Sequence, residues 1–415
     1  MTEGQIIKFY REQQNLTQGE LGQGICSITH LSKIERGITE YSNDIIDLLC
    51  ERLCIDMTSE MKRYFHTGQL LSSWHNAIVM QRSDEVEQLK EIIDREVLKD
   101  LPSYRVSYRL LLVRYYLYNI QLDLANRLIT QIRNDNTSAT PFEENFFRHS
   151  LGIYYFLSGQ FRDCIEILTA IDSSHYTEQE YYYHLAIAYH AIHSNTTAYY
   201  YGEKALHYFR QTLNMLRIID TESLMLIQLN MSDASNFPEI VSRYHNLIKT
   251  CDLCQAEDRK SKLIHNLAFE HLKRGDYVES CTLFQQVMQL MDKENSVYLS
   301  TLDCYITAAN RGNILPSSEL LQLAKYGHKL AAERKDKRMI DFKLQLYLLQ
   351  NQMPQYYQCI EEEALPLFRS SGDNYSIERY ERKLLDFYLE QNDQARALHY
   401  ALSLIEAQSQ NYKDY

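Results

Sequence analysis

The sequence predicts an all-α protein, and three observations support this fold class. First, the chain has only 13 glycines and 6 prolines among 415 residues, whereas about 7% and 5% are usual. Second, residues 16–37 place apolar side chains at helical spacing around a short glycine-containing break. Third, a pattern of leucine, small residue and aromatic residue returns after 34 positions beyond residue 70. We therefore expect a five-helix N-terminal domain at residues 1–66 and a right-handed superhelix of helix pairs at residues 67–415.

Residues 16–37 read LTQGELGQGICSITHLSKIERG and predict two short helices joined by a tight turn. The first begins at Thr17 and Gln18. Ser27 can cap the second by accepting a hydrogen bond from a free backbone N–H group, and Gly37 supplies the left-handed residue that ends it. Leu31 and Ile34 lie three positions apart and should pack inward.

The remaining side chains of this second helix, which we expect at residues 28–36, are left facing solvent. A helix that is polar at its exposed N-terminal end fits the major groove of DNA. We therefore predict DNA contacts from this helix and from the start of the preceding one. The candidate residues are Gln18, Ser27, Thr29, His30 and Lys33.

The order Leu-Thr-Gln followed by Leu-Ser-x-Ile-Glu-x-Gly resembles the Xre-like helix-turn-helix of phage repressors. Gly22 departs from the alanine usual there, and Gly24 adds a second glycine, each costing about 1 kcal/mol inside a helix. Three more helices are expected around the motif, at residues 3–15, 43–53 and 58–65, with a hinge at residues 66–69. Ser42 should cap the helix at residues 43–53, and the apolar residues expected to close the core there are Ile45, Ile46, Leu48 and Leu49.

The charge of this domain favours a dimeric DNA-binding protein. The whole chain has a formal net charge of −12, and residues 1–65 contain 7 basic and 10 acidic residues. Contacts with phosphate groups dominate the affinity of proteins for DNA. A single acidic domain should therefore bind weakly, and we expect a homodimer or a higher oligomer that reads a two-part operator in double-stranded DNA.

The longer segment resembles tetratricopeptide repeats. Leu151-Gly152, Leu185-Ala186 and Leu267-Ala268 are each followed by an aromatic residue or histidine three positions later, and Gly152 and Ala186 are 34 residues apart. Small side chains let the two helices of a repeat approach closely. We expect eight or nine helix pairs around a concave groove, with a kink or a new helix at Pro366.

The sequence predicts no enzyme, no cofactor and no metal site. We find no nucleophile and base arrangement and no phosphate-binding loop. The spacings of His184, His190 and His193 do not suit a metal site, and Cys251 and Cys254 form a single CxxC without a second ligand pair. Nine scattered cysteines suit reduced thiols. Without an 18-residue apolar run or a signal peptide, the protein is expected in the cytoplasm and not in a membrane.

Side chains that face the groove are the candidates for ligand binding. Asn266 precedes Leu267-Ala268, a position that faces the concave side of tetratricopeptide repeats. Its amide can both donate to and accept from a peptide backbone. Arg217 and Lys262 could bind a peptide's terminal carboxylate or an acidic side chain. The full set of candidates is Asn266, Asn230, Arg217, Lys262, His184, Tyr189, Tyr305 and Asn310.

A helix-turn-helix followed by tetratricopeptide repeats resembles the RRNPP family of peptide pheromone receptors, and its NprR branch most in length and repeat number. The resemblance implies a cytoplasmic quorum-sensing transcription regulator that binds a short signalling peptide in its groove. In that family the peptide alters oligomeric state or domain placement, and thereby DNA binding. Asn266 matches the family's asparagine that holds the peptide backbone, and Asn230 matches it less closely.

Two other functions remain open on the sequence alone. The NprR and Rap branches also imply binding to a response regulator of the sporulation phosphorelay, so the repeats could act mainly by sequestering that protein. Alternatively, the chain could be a phage or mobile-element repressor whose repeats serve only for dimerisation. Binding of a short peptide distinguishes the regulator from such a repressor.

Overall fold

The computed structural model describes residues 2–38, 42–135, 140–229, 236–295, 297–371 and 374–413. Within these ranges the secondary structure is helical, without a β-strand, which confirms the predicted fold class. Among the described residues no helix combines the length and the apolar character needed to cross a membrane. The chain divides into two compact units, residues 1–181 and 182–415, and each is described by itself.

The first unit contains ten α-helices among its described residues and a short 3-10 helix at Val97–Asp100. The α-helices are α1 (Thr2–Gln13), α2 (Gln18–Gly22), α3 (Ile28–Glu35), α4 (Asn43–Leu53), α5 (Met57–Met80), α6 (Ser83–Arg95), α7 (Pro102–Tyr118), α8 (Leu122–Asn134), α9 (Pro141–Leu157) and α10 (Phe161–Thr169).

Helices α1 to α4 close around the predicted motif core. The buried residues of this core are Ile7, Leu21, Leu31, Ile34, Ile46, Leu49, Cys50 and Leu53. Two expectations were wrong. Leu48 is 47% exposed, because the buried residues of α4 follow the spacing Ile46, Leu49, Cys50, Leu53 and leave Leu48 outside. Gly24 lies in the turn at φ +74°, where its lack of a Cβ is useful rather than costly.

The hinge predicted at residues 66–69 was also wrong, because helix α5 continues without interruption from Met57 to Met80. Leu70, Leu71 and Trp74 give this part of the helix a buried face. The ring of Trp74 stacks near that of Tyr108 on α7, at 6.4 Å between centroids. Packing of this apolar face therefore extends the helix across the segment that the sequence suggested as a linker.

The predicted cap at the start of helix α4 was wrong in its chemistry. Ser42 is the N-cap residue, but its side chain makes no capping hydrogen bond.

The following helices carry the remaining repeats. They are α11 (Tyr181–Ala191), α12 (Asn195–Gln211), α13 (Met215–Gln228), α14 (Phe237–Leu253), α15 (Glu257–Arg274), α16 (Tyr277–Leu290), α17 (Tyr298–Arg311), α18 (Ser317–Glu333), α19 (Met339–Leu349), α20 (Met353–Cys359), α21 (Leu365–Ser371), α22 (Asn374–Glu390) and α23 (Gln394–Lys413). If α20 and α21 are taken as one interrupted helix, the described helices from α5 onwards form nine consecutive pairs, which agrees with the predicted number.

The interruption between α20 and α21 is a single π-helical turn at Ile360–Ala364. Pro366 follows it as the second residue of α21, so the missing N–H group falls where the regular α-helical pattern has already been broken. Ile360 and Ala364 are both fully buried. The expected kink or helix start at Pro366 is therefore present as a π-turn inside one packed repeat helix.

Residues other than glycine make most of the left-handed turns that end these helices. Eleven described non-glycine residues have positive φ angles, among them Ile120, Leu213 and Asn351. A chain with few glycines must use such residues where a helix stops, although a left-handed conformation costs an L-residue about 1–2 kcal/mol. Ile120 is the most strained type, because a β-branched side chain is rarely found at positive φ.

We expect Ile120→Gly to stabilise the first unit by about 1 kcal/mol. Ile120 has a φ of 56° and is 69% exposed, so glycine removes the strain and sacrifices little buried surface. Thermal or denaturant unfolding of the full chain would measure the change. Ile120→Asn is the matched variant and should give a smaller gain, because asparagine tolerates the left-handed region better than isoleucine does. A destabilised glycine variant would contradict the argument.

Candidate functional site

Helix α3 presents the predicted DNA-contacting residues on one side of the first unit. The Ser27 hydroxyl accepts a hydrogen bond from the His30 N–H at 3.2 Å, as the capping prediction required. Leu31 and Ile34 are fully buried, whereas Thr29 and Lys33 are exposed and His30 is half-buried. Gly37 has a φ of 67°. The buried side chains of Leu31 and Ile34 thus hold this eight-residue helix with its polar face toward solvent.

Gln18 begins helix α2, and its side chain is partly engaged within the domain. Its Nε2 donates to Glu35 Oε2 at 2.8 Å, and the side chain is half-buried. Thr17 and Glu20 form a reciprocal capping box at the start of this helix. Glu35 therefore holds the Gln18 side chain beside helix α3.

Sequence reasoning missed the ion pair that joins these elements. Arg11 Nε donates to Glu35 Oε1 at 2.5 Å, and Arg11 Nη2 donates to Glu35 Oε2 at 3.0 Å. Arg11 also donates to the Leu16 carbonyl oxygen at 2.8 Å. Glu35 is only 3% exposed. The signal was available, because Glu35 is four residues after the buried Leu31 and therefore lies on the same helix face.

The second unit contains a cavity between helices α11, α13 and α15, called here the Asn266 cavity. It encloses about 660 Å³ open to solvent. The side chains that surround it are Tyr183, Ile187, His190, Ile219, Asp220, Ser223, Leu224, Ile227, Arg259, Lys262, Leu263 and Asn266. The cavity is thus lined by the first helix of each of three successive pairs. The predicted residues Asn266 and Lys262 both line it.

The amide of Asn266 is only weakly held in this cavity. Its Nδ2 lies 3.5 Å from the Ser223 hydroxyl oxygen, the long limit of a hydrogen bond, and the residue is half-buried. A ligand can therefore take over this donor at little cost. The neighbouring Tyr183 keeps its phenolic proton, because burial raises the pKa of Tyr183 to about 12. Burial also lowers the pKa of His190.

Asp220 forms ion pairs with two of the arginine side chains near the cavity. Arg259 donates to both carboxylate oxygens of Asp220, at 2.8 and 3.0 Å. Arg217 lies 3.7 Å from the same carboxylate, and its guanidinium group stacks 4.6 Å above the Tyr183 ring. Lys262 is exposed at the cavity wall. The predicted Arg217 therefore supports the cavity through Tyr183 and Asp220.

Three other predicted groove residues point elsewhere. His184 is 5% exposed and Tyr305 is 5% exposed, so both are buried in helix packing, which contradicts their expected position in the groove. The Tyr305 hydroxyl oxygen lies 2.7 Å from the donating Nε2 of Gln285 on α16. Tyr189 stacks on Tyr201 at 5.4 Å with an interplanar angle of 7°, and so packs against α12. Tyr189 thus faces its partner helix, and Tyr305 faces the second helix of the preceding pair. Asn230 lies outside the described residues.

Asn310 belongs to a second cavity, called here the Lys383 cavity, between α17, α19, α20 and α22. It encloses about 430 Å³ open to solvent. Its charged and polar lining residues are Asp303, Thr307, Asn310, Arg311, Asp341, Gln345, Tyr356, Arg379, Tyr380 and Lys383. Apart from Asn310, sequence reasoning missed this set. The helical spacing of Asp303, Thr307 and Arg311 was a usable signal for a polar face.

The first thiol of the CxxC, that of Cys251, shows no sign of activation. Cys251 is 1% exposed, and burial raises the pKa of its thiol to about 11. A metal ligand or a redox nucleophile requires the thiolate form. Cys251 therefore serves as a small core residue of helix α14, in accord with the packing interpretation.

A helix-turn-helix family model matches residues 7–58 of the chain. Over 387 residues the chain is 19% identical to the transcriptional activator NprA of Geobacillus stearothermophilus, covering 89% of this chain and 94% of the relative. The segment matched by the family model includes α2, α3 and α4.

Solved structures with the same fold include the quorum sensor NprR from B. thuringiensis in its apo form, with a TM-score of 0.63 at 19% identity. That match covers 85% of this chain and all of NprR. NprR in complex with its cognate peptide NprX gives a TM-score of 0.62 at 18% identity, covering 82% and 99%. A Rap protein complexed with Competence and Sporulation Factor gives 0.69 at 15%, covering 85% and 100%. These likenesses show the fold.

Proposed function

We propose that this chain, a member of the RRNPP family by its domain order and fold, is a quorum-sensing transcription regulator. It binds a short signalling peptide in the Asn266 cavity and couples this binding to recognition of DNA by helix α3. The observation that carries the proposal is the meeting of Asn266, Lys262 and Ser223 in one open cavity. The same chain exposes a capped recognition helix.

The DNA-binding part of the proposal rests on helix α3. Thr29, His30 and Lys33 offer donors and acceptors that fit base edges or phosphate groups. The match to a helix-turn-helix model and the similarity to an activator, NprA, support this role. Because residues 1–65 are acidic overall, we propose a homodimer on an operator with half-sites about 10 base pairs apart or a multiple of that distance.

The peptide-binding part rests on the chemistry of the Asn266 cavity. An extended peptide presents unpaired backbone groups, and burying each without a partner costs about 1–3 kcal/mol. The Asn266 amide supplies both a donor and an acceptor, and its hydrogen bond of 3.5 Å to Ser223 is easily exchanged. NprR, whose fold this chain shares, was solved with a cognate peptide. A peptide of roughly five to ten residues along helices α11, α13 and α15 satisfies these constraints.

We expect Asn266→Ala to weaken peptide binding about tenfold or more, which corresponds to 1.4 kcal/mol per tenfold. A mixture of short peptides from the host's culture medium would first be screened by the thermal stability of the full-length protein. A ligand at 100 times its dissociation constant adds about 2.7 kcal/mol of stability. Calorimetry with the selected peptide would then compare wild type with Asn266→Ala.

Asn246→Ala is the matched control for this experiment. Asn246 is an exposed asparagine on helix α14, the second helix of its pair, and it does not line the Asn266 cavity. Its replacement should leave peptide affinity unchanged. Equal affinity of wild type and Asn266→Ala would place the peptide elsewhere. If no peptide binds while the operator is still bound, the repressor alternative gains support, and binding of a response regulator alone favours sequestration.

A further inference from the structure

The Lys383 cavity gathers more positive than negative side chains. Arg311 on α17 and both Arg379 and Lys383 on α22 line it, together with Asp303 and Asp341. Asp303 is already bound, because the Gln345 side-chain amide donates to its Oδ1 at 3.0 Å. The cavity therefore has an electrostatic preference for an anion.

Lys383 is a half-buried cation of this cavity. Its Nζ donates to the Tyr356 hydroxyl at 2.5 Å and lies 5.2 and 5.5 Å from the ring centres of Tyr356 and Tyr380. Burial, followed by the charges of Arg379 and Arg311, lowers the pKa of Lys383 to about 8. The ammonium group is still mainly protonated at neutral pH. It is destabilised there, and a bound carboxylate would relieve this cost.

Gln345 adds an unused acceptor to the same cavity. It is 8% exposed, and its Nε2 donates to both Asp303 and Thr307, at 3.0 and 2.7 Å. Because a carboxylate only accepts hydrogen bonds, these contacts fix the amide orientation. Among the described residues, no group donates to Gln345 Oε1. A buried acceptor without a partner costs about 1–3 kcal/mol. A ligand N–H group that donates to Gln345 Oε1 would remove this cost.

We propose that the Lys383 cavity binds the C-terminal residue of the signalling peptide, an inference that rests on the function proposed above. The carboxylate lies among Arg311, Arg379 and Lys383, and the last backbone N–H donates to Gln345 Oε1. One terminal residue presents both groups a short distance apart, which neither an inorganic anion nor an internal peptide segment without an acidic side chain does. Guanidinium groups suit carboxylates because they offer paired donors.

The two cavities lie on successive repeat helices within reach of one peptide. Helix α15, which carries Asn266, packs against α17, and α17 packs against α19. Packed helices are about 8–10 Å apart, so α15 and α19 are separated by roughly 20 Å. An extended peptide of seven residues spans about 23 Å. In the Asn266 cavity, Asp220 already engages Arg259 and Arg217, which makes that cavity less suited to the carboxylate than the sequence suggested.

The test uses full-length protein and two equimolar libraries of random heptapeptides, one with free C-terminal carboxylates and one with C-terminal amides. Peptides retained after gel filtration would be identified by mass spectrometry. We expect wild type to retain free acids about tenfold or more over amides. Lys383→Met should reduce this ratio toward one, because methionine fills the space without charge. Arg311→Gln changes an exposed cavity position and should also lower the ratio. It keeps the test valid if Lys383→Met fails to fold.

Lys343→Met is the control for removing a lysine from the same repeats. Lys343 Nζ binds Glu363 at 2.6 and 2.8 Å and does not line the cavity, so the ratio should stay at the wild-type value. Equal retention of acids and amides by wild type, or an unchanged ratio in both cavity variants, would overturn the C-terminal assignment alone. Failure of wild type to retain peptides from either library would overturn the proposed function and this inference with it.

Discussion

Replacing Thr29, His30 and Lys33 together by alanine is expected to reduce operator affinity by at least about 100-fold. These side chains occupy the outward face of helix α3, where Thr29 and Lys33 are exposed and His30 is half-buried. A well-placed contact with a base edge contributes about 1–3 kcal/mol of discrimination, and 1.4 kcal/mol is a tenfold change. The affinity would be measured at fixed salt on a DNA fragment selected by the wild-type protein from a random pool.

Helix α5 provides a control with the same residue types. Thr58, Lys62 and His66 are all exposed and lie four residues apart on one face of α5. Replacing these three by alanine removes one threonine, one lysine and one histidine, as the α3 variant does. We expect it to bind the selected operator with nearly wild-type affinity. Equal losses in both triple variants would show that α3 is not the recognition helix.

Glu35→Ala is expected to destabilise the helix-turn-helix domain by about 3–5 kcal/mol, because it removes the buried carboxylate that pairs with the Arg11 guanidinium group. The remaining carboxylate near Arg11 is that of the exposed Glu12, at 3.4 Å. Arg11 is 8% exposed and directs two donors at Glu35. Gln18 Nε2 also loses its acceptor. Hydrogen exchange at the backbone amides of Leu31, Ile34 and Leu49 in the full-length chain would report the loss, since it measures the local free energy of opening.

The double variant Arg11→Met with Glu35→Leu separates the charge from the packing. Replacement of a buried ion pair by apolar residues of similar size is often neutral or stabilising. We therefore expect its amide protection to return close to the wild-type level. Protection in Glu35→Ala within 1 kcal/mol of wild type would mean that water reaches Arg11, and it would remove the basis for calling this pair a structural anchor.

Local patterns in the sequence were sufficient for the helix-turn-helix motif. The capping role of Ser27, the buried Leu31 and Ile34, and the left-handed Gly37 were all predicted correctly. Each depends on residues within one helical turn, so short-range spacing contains the needed information. Leu48 was placed wrongly, because apolar character alone did not show which side of α4 would meet the other helices.

The sequence by itself determined the all-helical class, the helix-turn-helix and the number of repeat pairs, because these follow from helix periodicity and glycine scarcity. Tertiary structure decided which side chains meet. Packing of Leu70, Leu71 and Trp74 turned a suspected hinge into continuous helix. Docking of successive helices buried His184 and Tyr305 and brought Arg311 close to Lys383. A change of one position turns a helical side chain by about 100°. Which side chains face the groove therefore depends on how each helix is rotated against its neighbours. The spacing of residues along one helix does not specify that rotation.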